Sequence, residues 1–512
     1  MESLRNAQAI NPPVLQHTGP PFSNFDFVDN YFESKCVSLK RILSQMRVSS
    51  FQSMVIEEIK SVGISKDDDD ELLSAGVQLF GKPLVRISFF KTKLNDIGQI
   101  EQENDENYLG YAILKYSPSI FGGRWIVFES ITKPGRHDNN YYHCARDYSV
   151  RVCGKTFHIK GNIYCQQNTL TNVCAHVALR TCISAVHPDG DISYRAINEI
   201  LEKAGKPHSL KDGLTDKQIR AVLDGLGINY YCLWYPADIK NRPPVPYQKL
   251  LYGSIESGCP ALLAFSSVGG ASGHIIPVIG HTFNEDTWVP NADMSYFAIG
   301  KDTRYVPSES WVSTYVCHDD NFGSHFCLPR GYLQEGAELF AVGILPKEAK
   351  YDAIRAEAIA VDFLYNIAIC LPLDPSPWIK RFKDAITLDR GWIVLRPIFM
   401  AAEKYVSHLE QLTGWEGEKI DPKVIATLKT QLHGFFWVVE VSLPEIFPAN
   451  RRKIGEVVLN ANMELVPKRD FSTLVLARLL DQLYLLTQDE KKQTVLAKYP
   501  TGTQTHTGLF QQ

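Results

Sequence analysis

Between residues 164 and 346 the helical segments come first and the sheet follows, and no other feature constrains the fold as much. The stretch 174–186 is apolar along one face at helical spacing. Ile192, Ala196, Ile197, Ile200 and Leu201 make a second helix, closed by Gly205. Thr215-Asp216-Lys217-Gln218 is a capping box that opens a third. Residues 228–234 then read as a strand, 247–257 as another helix, and 261–265, 275–279 and 312–316 as strands. Segments grouped in this way predict an α+β fold.

The flanks read differently. Residues 1–25 hold Pro12-Pro13 and Gly19-Pro20-Pro21 with little periodicity, and are expected to be a loose arm. Residues 26–163 are expected to form a helical lead-in followed by a β-rich domain. Within it the helical spacing includes Val55, Ile56 and Ile59, and Asp67-Asp68-Asp69-Asp70-Glu71 reads as a solvated turn at a helix N-terminus. Strands are expected at 84–90, 111–116, 125–128 and 148–152, parted by Gly122-Gly123 and Pro134-Gly135. The third unit, 164–346, is the one described above. From 347 to 498 the pattern resets to a second α+β region, with a helix at 351–369, strands at 392–395 and 435–441, and helices at 424–432 and 472–486. Residues 499–512 are expected to be a frayed tail.

Size and charge narrow the function classes. A chain of 512 residues is long for one core. With 45% hydrophobic and 21% charged residues it belongs among globular proteins. The formal net charge of −4 offers no basic field for nucleic acid. No run nears the roughly 18 apolar residues a membrane span needs, and Met1-Glu2-Ser3-Leu4-Arg5-Asn6 lacks the apolar core of a signal peptide. The 11 cysteines form no tight framework, which points to a reducing, cytoplasmic setting.

Chemistry concentrates in three places. Gln166-Gln167-Asn168-Thr169-Leu170-Thr171-Asn172-Val173-Cys174 ends in a cysteine at a helix start, with Thr171 or Asn172 as N-cap. A helix N-terminus favours the thiolate, which is the nucleophilic form. Gly273-His274 follows a loop of small residues and opens an apolar strand, so His274 is the candidate base. The third member must accept a bond from the imidazole. Asp319 is favoured, with Asp320, Asn291 and Asp293 as alternatives. The backbone N–H of Cys174 and the side chain of Gln167, with Gln166 in reserve, are candidate oxyanion donors.

The order Gln, Cys-led helix, Gly-His strand, Asp-ending strand resembles the papain-like cysteine peptidase fold, within it the bacterial leader-peptidase type. The resemblance covers residues 164–330. It implies a nucleophile helix packed on an antiparallel sheet, with Cys174 as nucleophile, His274 as base, Asp319 as orienter and Gln167 as oxyanion glutamine. It departs at Ala175, where the family has glycine, and at Gln167, one residue farther from the cysteine than usual. A cysteine hydrolase cleaving peptide or isopeptide bonds of a protein or peptide substrate is the implied activity. Amine acyl transfer on the same triad and a non-catalytic recognition module are the alternatives, with the C-terminal region as a possible surface for a protein partner.

No cofactor and no metal are expected. Cys317-His318 with His325 and Cys327, and His143-Cys144 with Cys153, His158 and Cys165, lack the close pairs of structural zinc sites. His187-Pro188-Asp189-Gly190-Asp191 lacks the remaining ligands of a calcium loop and reads as a turn between helices. His176 reads as structural.

Overall fold

A computed structural model describes residues 3–18, 24–32, 36–119, 122–133, 140–142, 145–167, 174–208, 213–236, 240, 245–266, 273–283, 305–333, 337–370, 377–387, 392–414, 417–447, 451–465, 471–479, 482–486, 493–497 and 504–505. The fold is α+β, built on three largely antiparallel sheets.

The first sheet is β1 (Val14–His17), β2 (Ser53–Ile59), β3 (Leu84–Phe90), β4 (Tyr108–Ser119) and β5 (Gly122–Thr132), in that order. Helices α1 (Asn24–Tyr31), α2 (Val37–Val48) and α3 (Ile64–Ser74) accompany it. Strand β3 is buried at every position because both faces of the sheet are covered. Leu39, Ile42, Leu43 and Met46 of α2 pack on Met54, Ile56, Val85, Ile87 and Phe89. On the other face Val55, Ile59, Leu84, Tyr111, Ile113 and Phe128 join the core under a hairpin of β7 (Arg146–Val152) and β8 (Lys155–Gly161). A short β6 (Asn140–Tyr142) precedes that hairpin.

Three expectations change here. Val55, Ile56 and Ile59 lie on β2 rather than a helix; the strand is buried along nearly its whole length, Glu57 included, so its side chains show no inside–outside alternation. The acidic run 67–71 lies inside α3, where Asp68 and Asp69 pair with the buried Lys115. The N-terminal segment is no loose arm in its described part. Leu4 and Ala7 are buried, and Arg5 pairs with Glu129 at 2.9 Å and Asp191 at 2.6 Å.

The second sheet carries the candidate site. Helices α4 (Cys174–Val186), α5 (Tyr194–Lys203) and α6 (Asp216–Gly225) precede it, then β9 (Tyr230–Trp234), α7 (Tyr247–Glu256), β10 (Ala261–Ser266) and β11 (Gly273–Phe283). After β12 (Val306–Pro307) come β13 (Val312–Asp319), β14 (Gly323–Pro329) and β15 (Glu338–Ile344). The strand order is β14-β13-β11-β10-β15-β9, antiparallel throughout, with β6 also on β11. The predicted capping box of α6 is present. Leu262, Ala264, Ile275, Val342 and Ile344 face α4, whose Leu179, Cys182 and Ile183 they meet. Leu263, Phe265, Ile276 and Val278 point the other way, onto Leu250, Leu251 and Ile255 of α7. The first of these cores also holds Val55, Ile113 and Phe128, so it runs across the expected boundary at residue 163.

The third sheet follows α8 (Ala353–Cys370) and α9 (Pro377–Thr387). It contains β16 (Val394–Ala401), β17 (Phe435–Ser442), β19 (Gly455–Asn460), β20 (Leu474–Leu479), β21 (Gln482–Leu486) and β22 (Gln493–Ala497), with α10 (Ala402–Gln411), α11 (Pro422–Gln431) and β18 (Arg452–Lys453) between them. Helices α8 and α9 cover one face, α10 and α11 the other. The helix expected over 472–486 is instead the pair β20 and β21, because the leucine-rich stretch finds an antiparallel partner in β19. Strand β12 adds in parallel to the edge at β16. The buried His281 of β11 hydrogen-bonds Glu256 at 2.8 Å. Arg396 of β16 donates to Glu256 at 3.3 Å and to Glu440 at 2.8 Å, joining the second and third sheets by charge. Among the described residues, no helix is long and apolar enough to cross a membrane.

Candidate active site

Cys174 is the first residue of α4 and is half-buried against the core. The N-cap candidates Thr171 and Asn172 lie outside the described residues. On β11, His274 pairs in register with Phe265 of β10, whose ring packs edge-on at 5.5 Å between centroids. Strands β11 and β13 are antiparallel neighbours, with Val278 opposite Cys317. The start of one therefore lies beside the end of the other, which brings Asp319 to His274 despite the 45 residues between them.

His274 Nε2 lies 3.2 Å from Asp319 Oδ2 and 3.5 Å from Asp320 Oδ1. The Cys174 side chain lies near enough to His274 to favour its charged form. Asp319 Oδ1 accepts from the backbone N–H groups of Asn321 at 2.8 Å and Phe322 at 2.9 Å, which leaves Oδ2 for the imidazole. The imidazole is 16% exposed, and both carboxylates are under 5%. Sulfur, ring and acid therefore converge with an open edge at the ring.

The electrostatics follow from this packing. Burial works against a charged His274, but the Asp319 hydrogen bond, the Cys174 side chain and the charges of both aspartates outweigh it. The ring is pushed up to about 10. Burial likewise opposes a charged Asp319. The hydrogen bond and charge of His274 and the two backbone donors win, and the carboxyl sits below its ordinary value. Asp320 is pushed up to about 6, mainly by burial, with Asp319 adding to it and His274 opposing. Its Oδ2 is buried with no hydrogen-bond partner.

Asp319 is thus the acid the structure places on His274, with Asp320 at its side. The rivals Asn291 and Asp293 lie outside the described residues. Gln166 is engaged elsewhere. Its N–H donates to the Val127 carbonyl at 2.8 Å and its Oε1 accepts from the Val127 N–H at 3.1 Å, which finishes the edge of β5. Gln167 is half-buried, and its carbonyl accepts from Arg124 at 3.4 Å. His176 is buried on Asn198 at 2.9 Å, and burial lowers it to about 4. Phe265 escaped the sequence reading, because only the β10–β11 register sets its ring on His274.

Among the described residues the soft-ligand clusters do not assemble, and His143 and Cys144 lie outside those residues. Cys317 is buried and Cys327 exposed, and Cys327 pairs with Val316 rather than Cys317. Cys165 is buried beneath Arg180 at 3.1 Å, while His158 is exposed. Asp191, of the loop with calcium-like residues, is held by Arg180 and Arg5. Among the described residues, the group with metal-like spacing is His274, Asp319 and Asp320, whose ligand atoms lie within 4.8 Å of one another.

The chain matches no protein-family model, no curated protein and no solved structure.

Proposed function

We propose that this protein is a cysteine hydrolase that cleaves peptide or isopeptide bonds, with a papain-like core of the leader-peptidase type. The observation that carries the reading is His274, which hydrogen-bonds the Asp319 carboxylate while the Cys174 side chain, at the start of α4, favours its charged form. With Nε2 turned to the acid, Nδ1 is the nitrogen left for the thiol. A cysteine is nucleophilic only as its thiolate, and an imidazolium and a helix N-terminus are the general devices that favour that form.

The thiolate of Cys174 attacks the substrate carbonyl carbon. The oxyanion that forms is met by the Cys174 backbone N–H and the Gln167 side-chain amide. The tetrahedral species collapses as the C–N bond breaks, and His274 gives its proton to the leaving amine. Water then attacks the thioester, His274 takes its proton, and the C–S bond breaks to release the carboxylic acid and restore the thiolate–imidazolium pair. Asp319 keeps Nε2–H oriented throughout and does not itself take the proton. A thiol nucleophile needs reducing surroundings, so we place the protein in the cytoplasm, acting on peptide or protein substrates.

The test is covalent labelling. Iodoacetamide should modify Cys174 faster than the exposed Cys327, read by mass spectrometry of the digested protein. His274→Ala should slow labelling of Cys174 by about 100-fold or more. Equal labelling of both cysteines in the native protein would end the hydrolase reading.

A further inference from the structure

We propose that Arg41 and Gln45 of α2 are positioning residues for the acid, so that the N-terminal unit completes the active site. This rests on the thiol-hydrolase reading and gives that unit a part in it.

The argument begins at the β13–β14 hairpin. Cys317 pairs with Phe326 and Asp319 with Gly323, so His318 alone faces both Ser324 and His325. That is a β-bulge, which leaves backbone groups without ladder partners. Helix α2 takes up two of them. Arg41 Nε donates to the Ser324 carbonyl at 2.8 Å and Nη2 to the His325 carbonyl at 2.9 Å. Gln45 Nε2 also donates to the Ser324 carbonyl at 2.7 Å, and Gln45 Oε1 accepts from Ser324 Oγ at 2.9 Å. Ser324 is buried, so these bonds are costly to lose.

The hairpin also carries strain that needs an external hold. His325 adopts φ 48°, a left-handed conformation that is unfavourable for a non-glycine residue. Gly323 sits at φ 109°, and a Cβ there would lie 2.6 Å from Arg41 Cδ. The hairpin is shaped to receive Arg41, whose guanidinium also lies over the Phe326 ring at 5.4 Å. The same helix also holds Tyr164, three residues before Gln167, which donates to Ser38 at 2.9 Å. The bulge lies next to Asp319, whose Oδ1 is held by the turn's own N–H groups. A shift of that turn therefore moves Oδ2 away from His274.

The test is the pH profile of Cys174 alkylation by iodoacetate, whose negative charge makes the rate follow the imidazolium. Gln45→Ala and Arg41→Ala should each move the alkaline limb down by roughly one pH unit, with partial recovery in Arg41→Lys. Adding Gln45→Ala to Asp319→Asn should move it no further, because the effect runs through Asp319. Gln45→Ala is the milder change and reports even where Arg41→Ala fails to fold. An unchanged limb in Gln45→Ala and Arg41→Lys, with native Cys174 still fast, overturns the clasp and leaves the hydrolase. A native Cys174 no faster than Cys327 overturns both.

Discussion

Asp319 presents one carboxylate oxygen to His274 at 3.2 Å while its other oxygen is held by two backbone N–H groups of the turn that follows. The acid is therefore held in place by its own turn. Asp319→Asn keeps the shape and removes the charge that favours the imidazolium. Alkylation of Cys174 at neutral pH should fall by about 100-fold or more, and the alkaline limb should move toward the ordinary histidine range. A neutral variant with native rates and a native limb would show that Asp319 plays no part.

Asp320 should respond in the opposite sense. Its carboxyl is raised from about 3.8 to about 6, so burial charged is unfavourable. Its contribution to stability is complete below the unfolded value and is lost as pH rises through about 6. Asp320→Asn removes that loss. Denaturant midpoints should show the variant more stable than the native protein by about 1–3 kcal/mol at pH 8, with the gain shrinking toward pH 4.

His274 has a different pH window. Its pKa is raised to about 10 in the folded protein, so its stabilising effect is complete below about 6.5 and lost as pH rises through about 10. The stability difference between the native protein and His274→Gln should therefore be largest near pH 6 and shrink by pH 10. A difference that stays constant over this range would mean that the imidazole is not charged in the folded state.

Deleting residues 1–9 tests the anchoring of Arg5. Arg5, Glu129, Arg180 and Asp191 form one buried network beneath α4. Removing one partner leaves buried charge uncompensated, which costs about 3–5 kcal/mol. Urea midpoints should fall accordingly, and Arg5→Met alone should account for most of the loss.

Metal analysis bears on the His274, Asp319 and Asp320 group. A cation there must displace the proton of a strongly basic imidazole, and Asp319 Oδ1 is already engaged by two donors. Purified protein should carry well under one equivalent of zinc, and chelator should leave the Cys174 rate unchanged. One equivalent lost in Asp320→Asn would instead assign these side chains to a metal centre.

Much of the site could be read locally. Cys174 is the first described residue of its helix, His274 lies near the start of its strand, and Asp319 ends β13, because helix and strand periods are local properties of the chain. The choice between Asp319 and Asp320 was not local. Adjacent residues on a strand point opposite ways, and only the turn at Asn321 and Phe322 brings both carboxylates to one imidazole.

Elsewhere the errors share a cause. Val55, Ile56 and Ile59 on β2, and the leucine-rich β20, look helical because a strand buried on both faces loses its alternation. Arg5, Lys115 and Arg180 look like surface residues until distant acids arrive to neutralise them. Sequence alone determined which residues are candidates for the chemistry and which local elements bear His274 and Asp319, since those depend on near neighbours. Tertiary structure brought Asp319 and Asp320 together on the histidine, decided which charges are buried, and set α2 on the acid turn, since each requires groups far apart in the chain to meet in a medium where an unpaired polar group is costly.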